Sequence, residues 1–103
     1  MITSIEESPL YRIVNPRSIA FFGASKNPSA MGSMLLNSTQ EVGFEGPIYP
    51  VHPKDEMIQG CKGYTSIDLV PEIPDLAVIV LPSRIVEETL EACGKKGIKQ
   101  AII

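Results

Sequence analysis

The stretch DLAVIVLP, residues 75–82, constrains the fold more than any other part of this 103-residue chain. Its apolar residues run without alternation, include β-branched side chains, and stop at a proline. A strand with one wet face alternates apolar and polar residues. An unbroken run therefore points to a strand covered on both faces, as in a parallel sheet. IAFF, Ile19–Phe22, has the same character and ends at Gly23. PIYPV, from Pro47, reads as another strand, which its two prolines push toward an edge. IKQAII, at the end of the chain, begins a further strand.

Helical segments are expected between these runs. Met31, Leu35, Thr39 and Val42 recur at helical spacing and predict one apolar face, with Leu36 beside it and Gly43 as the stop. A loop with Gly60 and Gly63 leads to a small helix near residues 66–70, with Ser66 as its N-cap. Ser83 is expected to cap a helix that carries Val86, Leu90 and Cys93 inward. Glu87 and Glu88 fall near its start and Lys95 and Lys96 at its end, as the helix dipole favours. Glu91 and Lys95 form an i,i+4 pair, and Gly97 ends the helix. Strand, helix, strand, short helix, strand, helix, strand is the pattern of an α/β, Rossmann-like, doubly wound parallel sheet in a single domain. Residues 1–17 read as a lead-in arm with one helical turn near residues 10–14, and residues 18–103 as the domain. The last strand breaks off inside an apolar run, so a longer parent, truncated at its C-terminus, is expected.

Composition removes several classes of function. A net charge of −3 gives no general attraction to nucleic acid or to an anionic membrane surface. LAVIVLP is far too short to cross a bilayer, and the N-terminus has no continuous apolar stretch of a signal peptide. A cytoplasmic location follows as the expectation. Cys61 and Cys93 fit no metal spacing and read as structural thiols. Cys61 lies in a glycine-flanked loop with only Lys62 near it, which is a poor setting for a reactive thiolate.

The loop after the first strand carries the chemistry. Ligands of doubly wound sheets sit outside the carboxyl ends of the strands, which places a ligand at residues 24–30 of GASKNPSAMG. Small residues there allow backbone N–H groups to approach an anion, and the next helix adds its positive N-terminal end. Ser25, Lys26 and Asn27 offer further donors. A dinucleotide site for NAD places an acid at the end of the second strand to bind ribose hydroxyls. Here Val51, His52 and Pro53 stand there, followed by Lys54, which suits a phosphate on the ribose. Asp55 and Glu56 come later and read as solvated loop residues. The residues alone leave coenzyme A and NADP open.

NPRSIAFFGASKNPSAMG, GFEGPIYPVHPKDEMIQGCKGYTSIDLVPEIPDLAVIVLP and CGKKGIKQAII together resemble the coenzyme A-binding domain of NDP-forming acyl-CoA synthetases. Its best-known members are the ADP-forming acetyl-CoA synthetases, and the succinyl-CoA synthetase α subunit is a more distant relative. The resemblance covers residues 16–103. It implies that Gly23, Ala24, Ser25, Lys26, Asn27 and Pro28 lie against the phosphates of coenzyme A. It further implies that Lys54 approaches the ribose phosphate and that Pro82 lines the cleft. His52 departs from the asparagine common in the family. It is not read as the catalytic histidine, which the family carries in a later domain. The resemblance thus implies an acid–CoA ligase coupled to ADP or GDP, with ATP-grasp domains or subunits as partners and no catalytic residue or metal in this stretch. A homo-oligomer is left open. The readings set beside it are an NAD(P)-binding domain of a dehydrogenase or redox-sensing regulator, and a non-catalytic coenzyme A-binding module of an acetyltransferase.

Overall fold

The computed structural model describes residues 15–103. The helical turn expected near residues 10–14 lies outside the described residues. Strands β1 (Ile19–Phe22), β2 (Ile48–Val51), β5 (Leu76–Ile79) and β6 (Ala101–Ile102) form one sheet in the order β2-β1-β5-β6. All neighbours run parallel, with Phe22 level with Val51 on one side and with Ile79 on the other. Helix α1 (Met31–Glu41) joins β1 to β2, and helix α2 (Ser83–Lys96) joins β5 to β6. As expected, β2 is an edge strand. Pro50, which has no N–H to give, sits within it opposite Phe21.

The two central strands are buried because each face of the sheet has its own cover. Successive side chains of a strand point to opposite faces. Ala20, Phe22, Tyr49, Ala77 and Ile79 therefore pack with Ile67, Val70, Cys93 and Ile98 on the α2 side. Ile19, Phe21 and Leu76 pack with Ala24, Leu36 and Ile58 on the α1 side. This is the doubly wound arrangement. At the amino ends of the strands, Arg17 reaches Asp75 with Nε at 2.9 Å and Nη2 at 3.0 Å, tying the entry to β1 to that of β5.

Four local expectations hold. Gly43, at φ +88°, follows the end of α1, and Gly97, at φ +104°, caps α2. Ser66 Oγ accepts from the Asp68 N–H at the start of a 3-10 turn, Ile67–Leu69. The Glu91–Lys95 pair is also formed, at 3.5 Å.

Other expectations are corrected. Met31, Leu35 and Val42 do not face the core; they are 69%, 43% and 83% exposed, and Gly32, Ser33 and Leu36 are buried instead. The reason is proximity. A Cβ on Gly32 would lie 2.4 Å from the Gly23 carbonyl, so α1 sits too close to the β1 exit for its larger side chains. Pro82, not Ser83, occupies the cap position of α2, and Glu87 and Glu88 lie beyond its first turn. Leu90 stays 37% exposed on α2, with Cys93 taking the buried position. The loop around Gly60 is a small hairpin of β3 (Met57–Ile58) and β4 (Cys61–Lys62). Gln59 and Gly60, at φ +50° and +83°, form its turn, as a two-residue hairpin with positive φ at both central positions requires.

Candidate functional site

The strand order reverses between β1 and β5: the chain leaves β1 for β2 on one side and returns to β5 on the other. A crevice opens at such a switch point, beyond the carboxyl ends of the strands. Three segments meet there: residues 23–30 after β1, residues 52–55 after β2, and residues 80–82 after β5.

Both glycines of GASKNPSAMG serve close approach. A Cβ on Gly23 would lie 2.0 Å from the Val80 carbonyl, so this residue lets the β1 exit abut the β5 exit. Gly32 brings the start of α1 onto the loop, as noted above. No side chain caps that helix end, so its first-turn N–H groups remain open to an anion.

The loop holds itself in shape. Ser25 N–H donates to Ser33 Oγ at 2.9 Å, and the same hydroxyl donates to the Ser25 carbonyl at 2.9 Å. Asn27 N–H donates to Ser25 Oγ, Ser29 N–H to Asn27 Oδ1, and Ala30 N–H to the Asn27 carbonyl. These amides, expected to face a ligand, are instead engaged within the protein. The outward donors are therefore side chains: the Ser25 hydroxyl proton, the Asn27 amide and the Lys26 ammonium, on a side chain 76% exposed. Pro28, exposed at the tip, has no N–H.

Asp55 is the largest correction at the site. Its side chain is only 10% exposed. Oδ2 accepts from the Lys26 N–H at 3.0 Å, and Oδ1 lies 3.7 Å from Lys26 Nζ. The residue read as solvated thus ties the second segment to the first. His52 Nδ1 accepts the Lys54 and Asp55 N–H groups at 3.1 and 3.0 Å, forming the tight turn that aims Asp55 inward. Lys54 stands exposed on this turn, and Pro82 is exposed at the cap of α2. Gln59 was missed by sequence reasoning; its Nε2 donates to the Ser25 carbonyl at 3.0 Å. Ser33 was missed too, although a small polar residue one place after a helix-opening glycine is a usable signal.

Two surface hollows lie away from this crevice. One, of about 580 Å³, lies between residues 15–17 and 42–46, and another, of about 350 Å³, beside Asp68, Glu88 and Lys95. Neither touches the loop. Burial raises the thiol pKa of Cys61, and raises that of Cys93 to about 11, which keeps both protonated and poorly nucleophilic at neutral pH. Both are free. Among the described residues no group of histidine, cysteine or acidic side chains could hold a metal ion, and no helix is long and apolar enough to cross a membrane.

Strand order, the reversal and the glycine-bounded loop define a Rossmann-like domain with a candidate site at the β1–β5 crevice. Residues 17–103 match the CoA binding domain family. The chain belongs to that family. It is 42% identical over 89 residues to the α subunit of acetate–CoA ligase [ADP-forming] II of Pyrococcus furiosus, covering 86% of this chain and 19% of that protein. It is 44% identical over 88 residues to the acetate–CoA ligase [ADP-forming] of Methanocaldococcus jannaschii, covering 85% of this chain and 12% of that one. Among solved structures it is similar to the apo form of a dinucleotide-forming acetyl-coenzyme A synthetase of Ca. Korarchaeum cryptofilum. The TM-score is 0.88 at 41% identity, over 91% of this chain and 20% of that one. The chain therefore spans about a fifth or less of the length of these relatives.

Proposed function

We propose that this chain binds coenzyme A as the coenzyme-holding part of an ADP-forming acyl-CoA ligase. The observation that carries the reading is the division of labour after β2. Asp55, the acid nearest the strand end, is turned inward onto Lys26, and Lys54 is left exposed. A ribose with free hydroxyls would find its acidic acceptor already engaged; a ribose phosphate finds an ammonium. This disfavours NAD. The family match favours coenzyme A over NADP.

In this reading residues 23–28 face the pyrophosphate. Ser25, Lys26 and Asn27 supply side-chain donors, and the open amino end of α1 adds its partial positive charge. Gly23 and Ala24 keep the backbone low, Pro28 shapes the tip, Lys54 binds the ribose phosphate, and Pro82 lines the cleft. The residues of this chain bind and orient; they neither form nor break the thioester. The whole enzyme would interconvert acyl-CoA, ADP and phosphate with the free acid, coenzyme A and ATP. Its phosphohistidine and ATP-grasp parts would lie in other domains or subunits in the cytoplasm. The pantetheine thiol would be presented to that machinery.

The test is thermal stabilisation by coenzyme A, dephospho-coenzyme A, NADP and NAD at equal concentration. A ligand at a hundred times its Kd adds about 2.7 kcal/mol to stability. Coenzyme A is expected to give the largest shift. An equal shift from NAD, or none from coenzyme A, would refute the assignment.

A further inference from the structure

We infer that Asp55 and Gln59 are positioning residues of the coenzyme loop, clamping the peptide group between Ser25 and Lys26 from the hairpin side. The inference rests on the reading of residues 23–28 as the phosphate loop. That peptide group is held at both ends. Its carbonyl accepts from Ser33 Oγ at 2.9 Å and from Gln59 Nε2 at 3.0 Å, and its N–H donates to Asp55 Oδ2 at 3.0 Å. Turning the peptide over would break all of these bonds. A loop of glycine and small residues is otherwise free to sample many shapes, and fixing one shape beforehand lowers the cost of binding.

Both clamping residues are themselves fixed. Asp55 is set by the bond from its N–H to His52 Nδ1, and a Cβ on Gly63 would lie 2.3 Å from the Asp55 carbonyl. Gln59 is the one non-glycine with positive φ among the described residues. Asparagine or glycine would suit that position of the turn better. Strained positions persist where the surroundings over-determine them. Here the Asn37 side chain donates to Gln59 Oε1 at 3.3 Å and Gln40 Nε2 to the Gln59 carbonyl at 3.2 Å. α1 thus holds one hairpin residue by its backbone and its side chain, and the end of that side chain reaches the loop.

The charge of Asp55 is not what the clamp needs. Lys26 Nζ and His52 Nε2 each stand 3.7 Å from the Asp55 carboxylate, at longer range than the Lys26 N–H bond. Its negative charge beside a phosphate site opposes the ligand, and one acceptor oxygen is enough to satisfy that N–H. Asparagine should therefore replace Asp55, whereas alanine should not.

The test is calorimetric binding of coenzyme A to the 103-residue chain at 20 °C, with amide ¹⁵N spectra taken without ligand. Asp55→Ala and Gln59→Met are each expected to weaken binding about threefold to tenfold, the usual worth of one hydrogen bond. Each should also shift the Lys26 amide resonance. Asp55→Asn is expected to bind at least as tightly as the natural chain. The two weakening variants probe opposite ends of one peptide, so either one that folds suffices. If Asp55→Asn binds as weakly as Asp55→Ala, or if neither weakening variant changes affinity, the clamp is refuted while the loop reading stands. If the natural chain itself fails to bind coenzyme A, the loop reading falls and the inference falls with it.

Discussion

Helices α1 and α2 cover opposite faces of one sheet, yet they bury different kinds of side chain. On α2 the contact is made by Cys93, with Val86 and Ala92 beside it, and the basic Lys95 and Lys96 fall in the last turn. On α1 the buried residues are Gly32, Ser33 and Leu36, while Met31, Met34 and Leu35 stay exposed. The difference follows from what each helix does at its amino end. α2 only has to cover the sheet. α1 must bring its first turn against the backbone of the loop, and only small residues permit that approach. Packing at α1 is subordinate to that close approach.

Matched glycine substitutions would break the comparison most sharply. Gly32→Ala puts a Cβ 2.4 Å from the Gly23 carbonyl and is expected to cost about 3 kcal/mol or more. Gly94→Ala on α2 meets nothing within 4 Å and should stabilise by about 0.5–1 kcal/mol, because alanine loses less entropy in a helix. Chemical denaturation reads both. Equal effects at the two sites would remove the distinction between the helices.

A leucine pair on α1 sharpens the same point. Leu36 is fully buried, so Leu36→Ala should cost about 3 kcal/mol. Its neighbour Leu35 is 43% exposed, and Leu35→Ala should cost less than about 0.5 kcal/mol. The reverse order would mean that the helix sits with the face expected from its spacing turned inward.

The smallest expected effect concerns the α2 side of the core. Burial and then the hydrogen bond to Glu72 raise the Tyr49 pKa from 10.0 to about 12. The neutral phenol is the form the fold favours, so its contribution is complete below pH 10 and is lost as pH rises from 10 to about 12. Tyr49→Phe should flatten that limb of the stability curve. No tyrosine packs on the α1 side among the described residues.

The same contrast explains what could be read from the sequence. The four strands of the sheet were legible because continuous apolar runs in IAFF and LAVIVLP admit few other placements. The position of the loop followed from the siting rule for such sheets. The buried face of α1 was not legible, because helical spacing of Met31, Leu35 and Val42 says nothing about how near the helix approaches a backbone. Nor was the hairpin, since Gln59–Gly60 lacks the asparagine that usually marks such a turn. Asp55 was misread for a related reason. Its carboxylate acts across 29 positions of sequence on Lys26, and no local pattern reveals where a loop side chain turns.

Lys54 is proposed to bind the ribose phosphate of coenzyme A, so the side chain and that phosphate should depend on each other. The measurement compares coenzyme A and dephospho-coenzyme A on the natural chain and on Lys54→Ala, with calorimetric Kd values for all four pairs. The expected result is that Lys54→Ala weakens coenzyme A about tenfold, as a lost charge-assisted contact should, and leaves dephospho-coenzyme A unchanged. Equal weakening of both ligands, or no weakening of either, would contradict it.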